Sequence, residues 1–369
     1  MFPYVVAALK KIKQKFPKKI VILGGIGPTI VAQEILDSFD FVDFIIKGCG
    51  ISSLHKLVKK IEAQDMEFDD IPSLLARNKR IPLNDNFSGF VSEIPKIPAY
   101  HRIKDMDLYR EFAIKTSLGC PYQCTFCYAS QPVGRKVISR DLSEVIEELR
   151  LIKKITRGKN IFYHIIDEAF VVNKKRAVEF CRLLRENKLK VSWSCYGRID
   201  CMDEELLRSL RMAGCVEVYY GIESGSNRVL EKIKKGFTIE EAIKILMLSK
   251  KYIPKSIASF IYRYPFEKFN DFLDTFIMLQ YLRSKNIAVQ LHPLVPVKNS
   301  ELYVTYYRRL CFSIHEPCDY LSVASISSLP KECVALIRDY HDVFYDYRYY
   351  NSEDFDKISS FIAKNPIKQ

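Results

Sequence analysis

Short apolar runs alternate along this chain with longer stretches in which apolar residues recur every three to four positions. The first pattern is that of buried strands, the second that of amphipathic helices. Through the first 65 residues the order reads helix 5–15, strand 19–23, a Gly24-Gly25-Ile26-Gly27 turn, helix 30–39, strand 42–46, a turn at 47–50 and helix 53–63. Ile20-Val21-Ile22-Leu23 is apolar throughout, as a parallel strand covered on both faces must be, and it ends in glycine where backbone has to approach something closely. This αβαβα order predicts about half of a doubly wound, Rossmann-like sheet over residues 1–65. Residues 66–111 carry Pro72, Pro82, Pro95 and Pro98 with little periodicity and read as a linker.

From residue 112 the alternation becomes regular. Strands are predicted at 112–116, 160–166, 190–196, 216–221, 256–262 and 287–292. Helices fall between them at 143–155, after Asn173, at 203–213, at 226–234 with 239–251, and at 269–284. The Asn173 side chain is placed to accept the orphan N–H groups that open its helix. Repeated β/α units of this kind imply an α/β fold with parallel strands and right-handed crossovers. Residues 301–369 are rich in tyrosine and read as helices.

Composition narrows the class. At 369 residues, with 48% hydrophobic and 27% charged residues, the chain is a globular protein long enough to bury a large core. No apolar run approaches the roughly 18 residues a membrane-spanning helix requires. The first lysines follow the apolar opening stretch rather than precede it, the reverse of a secretory leader. The 11 cysteines are odd in number and unevenly spaced, which argues against a disulfide framework and for a reducing, cytoplasmic setting. A formal charge of +13 raises nucleic acid or an anionic surface as a partner. The excess is mostly lysine scattered over segments such as 145–154 and 230–251, with no arginine-rich stripe, so solvated helix faces explain it better.

The densest chemistry lies in the segment Gly119-Cys120-Pro121-Tyr122-Gln123-Cys124-Thr125-Phe126-Cys127-Tyr128, which puts three thiols on one loop after a strand. Cysteine thiolates are the usual ligands of a [4Fe–4S] cluster, which takes four donors. With three local donors one iron is left open, and an open metal position is where substrate or cosubstrate binds. Structural zinc, with His101 or His164 as fourth ligand, is the alternative reading of the same residues. The spacing resembles the signature of the radical SAM superfamily, in which S-adenosylmethionine (SAM) chelates the open iron through its amino and carboxylate groups. Tyr128 matches the aromatic that commonly follows. The resemblance implies a partial (β/α)6, TIM-like barrel over residues 112–300, with Cys120, Cys124 and Cys127 as metal ligands.

Ligands of parallel α/β folds gather at the C-terminal ends of the strands. After the second strand, Asp167-Glu168 stands where the family has the segment that receives the SAM amino group; an ordinary exposed turn is the plainer reading. After the third, Arg198 has the fork suited to the SAM carboxylate, where lysine would serve less well, or else makes a surface ion pair. After the fourth, Gly221-Ile222-Glu223-Ser224-Gly225 resembles the family's Gly-x-Glu-Ser-Gly, with Glu223 implied as acceptor of the ribose hydroxyls and Ser224 beside it. Lys235-Gly236-Phe237-Thr238 resembles the Lys-Gly-x-Thr that follows. After the fifth, Arg263-Tyr264-Pro265-Phe266-Glu267 aligns with Gly-x-Pro-Gly-Glu, both glycines being replaced. Cys181, Cys195 and Cys215 read as core, and the spacing of Cys311, Cys318 and Cys333 does not support an auxiliary site.

Residues 1–65 are similar to the second half of the cobalamin-binding domain found in one branch of the superfamily, Gly24 and Gly25 matching the turn that cradles the nucleotide tail. The resemblance names cobalamin as a cofactor, but the motif that supplies the cobalt-ligating histidine does not occur here, so the chain is expected to be either a fragment or to carry a remnant of that domain, which puts cobalamin binding by this chain in doubt. The resemblance implies reductive cleavage of SAM to a 5′-deoxyadenosyl radical that abstracts hydrogen from a small-molecule substrate, for C-methylation or rearrangement. It implies also a low-potential electron donor such as flavodoxin or ferredoxin. Two other classes fit parts of the sequence: an iron–sulfur protein for electron transfer or scaffolding, and a zinc-stabilised basic module that binds nucleic acid.

Overall fold

The computed structural model describes residues 2–77, 97–127, 129, 135–312, 329–344, 347–349 and 352–365. The chain divides into two compact units, one of Met1–Ser92, Phe126–Gly134 and Pro293–Asn351, the other of Glu93–Thr125, Arg135–His292 and Ser352–Gln369.

The chain opens with helix α1 (Phe2–Lys15), strand β1 (Ile22–Gly24), helices α2 (Ile26–Ile30) and α3 (Ala32–Ser38), strand β2 (Phe44–Ile46) and helix α4 (Ile51–Glu62). The single helix expected at 30–39 begins earlier and breaks at Val31, inside the β-branched run Thr29-Ile30-Val31 that resists helical rotamers. β1 and β2 pair in parallel, and Asp43 pins their start by accepting from the Val21 N–H at 2.7 Å and from Lys13 at 2.8 Å. Strand β3 (Leu74–Ala76), inside the stretch read as linker, pairs antiparallel with β2 and closes that edge. The core of this unit joins Val6, Val31, Ile35, Phe39, Val42 and Ile45 to later residues Cys333, Ile337, Val343 and Phe344.

The second unit is built on strands β4 (Glu111–Ile114), β7 (Phe162–Ile165), β8 (Ser192–Gly197), β9 (Cys215–Glu223), β10 (Lys255–Tyr262) and β11 (Ala288–Pro293), with the short pair β5 (Ser117–Leu118) and β6 (Ile138–Ser139) beside it. The sheet order is β11-β10-β9-β8-β7-β4, so every strand lies next to its neighbour in sequence and β4 and β11 are edges. The pairs from β4 through β10 are parallel. This is the partial, six-unit barrel that the periodicity and the resemblance imply.

Helices α5 (Leu142–Ile155), α6 (Lys174–Glu186), α7 (Glu204–Met212), α8 (Asn227–Lys232), α9 (Ile239–Tyr252) and α10 (Phe269–Ser284) make the crossovers. Asn173 caps α6 as expected, its side chain accepting from the Arg176 N–H. The helix-facing side of the sheet is densely filled: Trp193 stands edge-on to Phe170 and Phe180 at 5.8 and 5.5 Å, and its indole N–H donates to the Ala213 carbonyl. Cys181, Cys195 and Cys215 are buried there. After the sheet come α11 (Glu301–Tyr306), α12 (Lys331–Asp339), α13 (His341–Phe344) and α14 (Ser352–Lys364), with an antiparallel pair β12 (Leu310–Phe312) and β13 (Tyr347–Tyr349) that the helical reading of this region did not include. Among the described residues no helix is long and apolar enough to cross a membrane.

Candidate functional site

The cysteine loop leaves the C-terminal end of β4 through residues 115–119, and the ends of β4 and β7 are tied together before it begins. Asp167, fully buried just past β7, accepts from the Thr116 N–H at 2.6 Å, the Thr116 hydroxyl at 2.5 Å and the Ser117 hydroxyl at 2.6 Å. Burial raises its pKa, and those same hydrogen bonds oppose the rise. Glu168 lies nearer the surface, where it accepts from Lys115 at 2.6 Å and from the N–H of Gly119, the residue before Cys120, at 3.2 Å. From beneath, Arg140 donates to the Lys115 carbonyl and to Glu148 at 2.5 Å, and Tyr100 donates to the other Glu148 oxygen at 2.6 Å. Arg140 and Glu148 are both buried.

Cys120 and Cys124 are partly buried thiols, and Cys127 follows three residues later; none of the three is in a disulfide. Gly119 has φ +94°, a left-handed conformation that lets the chain turn sharply into the loop. Burial pushes the Cys120 thiol up, against a Tyr122 backbone hydrogen bond and the Arg198 charge. The loop is held at Thr125, whose N–H donates to the Ile233 carbonyl at the end of α8. Tyr128 lies outside the described residues.

Arg198, one residue past β8, reaches the loop. Its Nη1 is 3.7 Å from Cys124 Sγ, and its guanidinium lies over the Tyr122 ring, 3.5 Å from the centroid. Its Nε and Nη2 also form a fork to Asp200 at 2.7 and 3.0 Å. Asp203, not Asp200, caps the following helix.

The Gly221–Gly225 segment ends β9. A bulge against β10 lets Ile222 stand out of register, so that Ser259 faces Gly221 and Phe260 faces Glu223. Glu223 sits at φ +76°, is nearly buried, and accepts from Lys235 at 3.0 Å. The two glycines serve the protein's own packing. A Cβ at Gly221 would stand 2.3 Å from Glu223 Oε1, and one at Gly225 would stand 2.6 Å from both the Asp274 carbonyl oxygen and Thr275 Cα, backbone atoms of α10. Ser224 is fully buried, with its hydroxyl 3.3 Å from that of Thr275 and accepting from the Ser226 N–H. Asp271 completes this lock by accepting from the Ser226 hydroxyl and from Arg228. Nothing near Gly221–Gly225 in the sequence points to Asp271 and Thr275, which lie about one β/α unit away.

After β10, Arg263 keeps the left-handed backbone, φ +69°, at a position where the family pattern has glycine, and donates from its N–H to Glu267 at 2.5 Å and from Nη2 to Ser359 of α14 at 2.6 Å. Burial pushes the Glu267 carboxyl up to about 8. On the sheet face away from the helices, Tyr196 is 48% exposed and stands edge-on to Tyr219, whose hydroxyl donates to Gln290. His164 is engaged at both ring nitrogens, with Ser194 at 3.0 Å and Glu111 at 3.2 Å, which leaves it no lone pair directed to the cysteine loop. His101 is exposed on a short turn, Tyr100–Arg102. Cys333 is buried in the core of the other unit, and Cys318 lies outside the described residues. Among the described residues no three His, Cys, Asp or Glu side chains are already gathered as a bound metal would gather them.

In the first unit, Gly25 has φ +90°, and a Cβ on Gly24 would reach the Ile46 carbonyl at 3.5 Å. The only histidine among residues 1–77 is His55, exposed on α4.

The family model described as Radical SAM superfamily matches residues 114–279. An uncharacterized methyltransferase of Pyrococcus horikoshii is 30% identical over 259 residues, 67% of this chain and 54% of that protein. A putative methylthiotransferase of Methanocaldococcus jannaschii is 32% identical over 282 residues, 72% of this chain and 58% of that protein. The chain thus spans a little over half the length of these curated relatives. Among solved structures, the radical S-adenosylmethionine methyltransferase TsrM from Kitasatospora setae, with tryptophan substrate and a SAM analogue bound, aligns at a TM-score of 0.75 over 97% of this chain and 72% of that one, at 17% identity. That likeness is one of fold. Because the family match spans the strands from β4 into α10 and the loop that carries Cys120, Cys124 and Cys127, this chain belongs to the radical SAM superfamily.

Proposed function

We propose that this chain cleaves SAM reductively, with Cys120, Cys124 and Cys127 as the protein ligands of a [4Fe–4S] cluster, and that it serves C-methylation or rearrangement of a small-molecule substrate. The observation that carries the reading is the position of the cysteine loop. It opens at the C-terminal end of the first strand of a parallel sheet whose next strands deliver Glu168, Arg198 and Glu223 to the same end. The donor set fits the group: three thiols at CxxxCxxC spacing on a loop anchored at its entry by Gly119 and between its second and third cysteines by Thr125. A cluster held by Cys120, Cys124 and Cys127 would supply the single electron needed to cleave SAM reductively into methionine and a 5′-deoxyadenosyl radical.

The residues of the chain bind, orient and exclude water. Glu168, partly exposed and anchored by Lys115 and Gly119, is the carboxylate that receives the SAM ammonium, while buried Asp167 fixes the strand end behind it. Glu223, held on one oxygen by Lys235, offers its second oxygen to the ribose hydroxyls. Ser224, its hydroxyl 3.3 Å from that of Thr275, ties this segment to α10. The electron donor is a low-potential protein of the flavodoxin or ferredoxin class. We assign no cobalamin step to this chain, because residues 1–77 do not fit it: His55, the one histidine among them, lies on helix α4 rather than on a loop beside the Gly24-Gly25 turn.

The test is anaerobic reconstitution with iron and sulfide, followed by dithionite and SAM, with 5′-deoxyadenosine as the product measured and Cys124→Ala alongside. Cluster-dependent product that the variant loses supports the reading. A brown protein that never cleaves SAM, or a colourless one that retains zinc, refutes it.

A further inference from the structure

We infer that Arg198 is a positioning residue of the cysteine loop and sets the reduction potential of the cluster held there, instead of binding the carboxylate of SAM. The inference rests on the cluster reading above. It starts from the donors a guanidinium possesses, five N–H bonds in one plane. Nε and one Nη2 donor go to Asp200 at 2.7 and 3.0 Å. Nη2 also donates to the Lys235 carbonyl, and Nη1 points one donor at Cys124 Sγ, 3.7 Å away. A second carboxylate would need a fork of two neighbouring donors; Asp200 closes the Nε–Nη2 edge, and on the Nη1–Nη2 edge the remaining Nη2 donor is taken by the Lys235 carbonyl while Nη1 points at Cys124. One face of the guanidinium is covered as well, by the Tyr122 ring at 3.5 Å. The side chain is 13% exposed.

The same contacts say what the residue does. Tyr122 stands between Cys120 and Cys124, and its hydroxyl lies 2.9 Å from Cys201 Sγ. Arg198, Asp200 and Cys201 flank or form the short turn Ile199–Cys201 at the end of the third barrel strand. That turn therefore grips the middle of the cysteine loop through an aromatic ring, a thiol and a charge. A cation beside a ligand sulfur favours the reduced cluster, which carries one more negative charge, and Asp200 offsets part of that effect. Loss of the arginine charge makes reduction harder. Loss of the Asp200 charge makes it easier.

The experiment compares reconstituted wild type with Arg198→Met, Arg198→Lys and Asp200→Asn. Iron and sulfide content and the EPR signal of the reduced cluster come first, then the midpoint potential and the SAM dissociation constant. Arg198→Met is expected to move the reduction equilibrium about tenfold against the reduced form, 59 mV lower for a one-electron couple. Arg198→Lys keeps the charge and moves it less. Asp200→Asn, which leaves the arginine in place, shifts it in the opposite direction, and SAM binding stays within about threefold of wild type throughout. If Arg198→Met weakens SAM binding tenfold or more at an unchanged potential, the arginine binds the SAM carboxylate and the inference is overturned. A wild type that takes up no [4Fe–4S] cluster overturns the underlying reading, and this one with it. Should Arg198→Met fail to fold, the opposite signs expected of Arg198→Lys and Asp200→Asn still decide the matter.

Discussion

Gly225→Ala separates two reasons for a glycine in the Gly221–Gly225 segment. If the glycine exists to let a ligand approach the backbone, alanine should spare the fold and weaken SAM binding. The structure points to the other reason. The added methyl would stand 2.6 Å from the Asp274 carbonyl oxygen, 2.6 Å from Thr275 Cα and 2.7 Å from Thr275 N, all backbone atoms of α10 that cannot swing aside. Ordinary contact is about 3.5 Å or more, so the segment has to retreat from α10 by roughly 1 Å. That retreat strains the bonds fixing it: the Gly225 N–H to the Thr275 hydroxyl at 2.9 Å and the Ser226 hydroxyl to Asp271 at 2.7 Å. Overpacking costs about 1–3 kcal/mol, and each lost hydrogen bond about 1 kcal/mol. The expected destabilisation is about 2–5 kcal/mol, read as a lower urea midpoint at an unchanged slope. Gly158→Ala is the control, since φ there is +70° but nothing lies within 4 Å of the added methyl; its cost is the left-handed backbone alone, about 1–2 kcal/mol. A Gly225→Ala protein no less stable than Gly158→Ala, and defective only in SAM binding, would falsify the packing argument.

Glu267 links stability to pH. Its carboxyl is pushed up to about 8 from 4.5 by burial, so between those values the native state keeps a proton that the unfolded chain has lost. Stability from this group therefore falls as pH rises through that window, by at most about 5 kcal/mol in all, and Glu267→Gln should flatten the slope of unfolding free energy against pH; identical slopes would show that the group does not titrate there. Glu148→Ala should destabilise by about 3–5 kcal/mol, because it leaves the buried Arg140 charge without its carboxylate. In a thermal scan Glu148→Gln should recover part of that loss by accepting from Tyr100, and a neutral outcome for the alanine variant would mean that Arg140 finds water.

The strands of the six-stranded sheet were legible in the chain because each is a short segment with apolar residues on at least one face, bounded by a helix-period stretch. The cysteine loop was legible because its three thiols lie within eight residues, close enough for one local motif to carry them. The Asn173 cap was legible for the same local reason. Tertiary structure alone decided what the polar residues at the strand ends do. Asp167 and Glu168 are neighbours in sequence, yet strand direction turns one into the core against Thr116 and Ser117 and leaves the other at the surface beside Gly119. Arg198 meets Tyr122 and Cys124 from more than seventy residues away. Gly225 answers to the backbone of α10 rather than to a ligand. Strand β3 escaped notice because three residues among prolines show no period, and only the open edge of β2 gives them a place to pair. Periodicity records which side of an element is buried. Which partner stands on that side depends on the packing of distant segments, and no local pattern carries it.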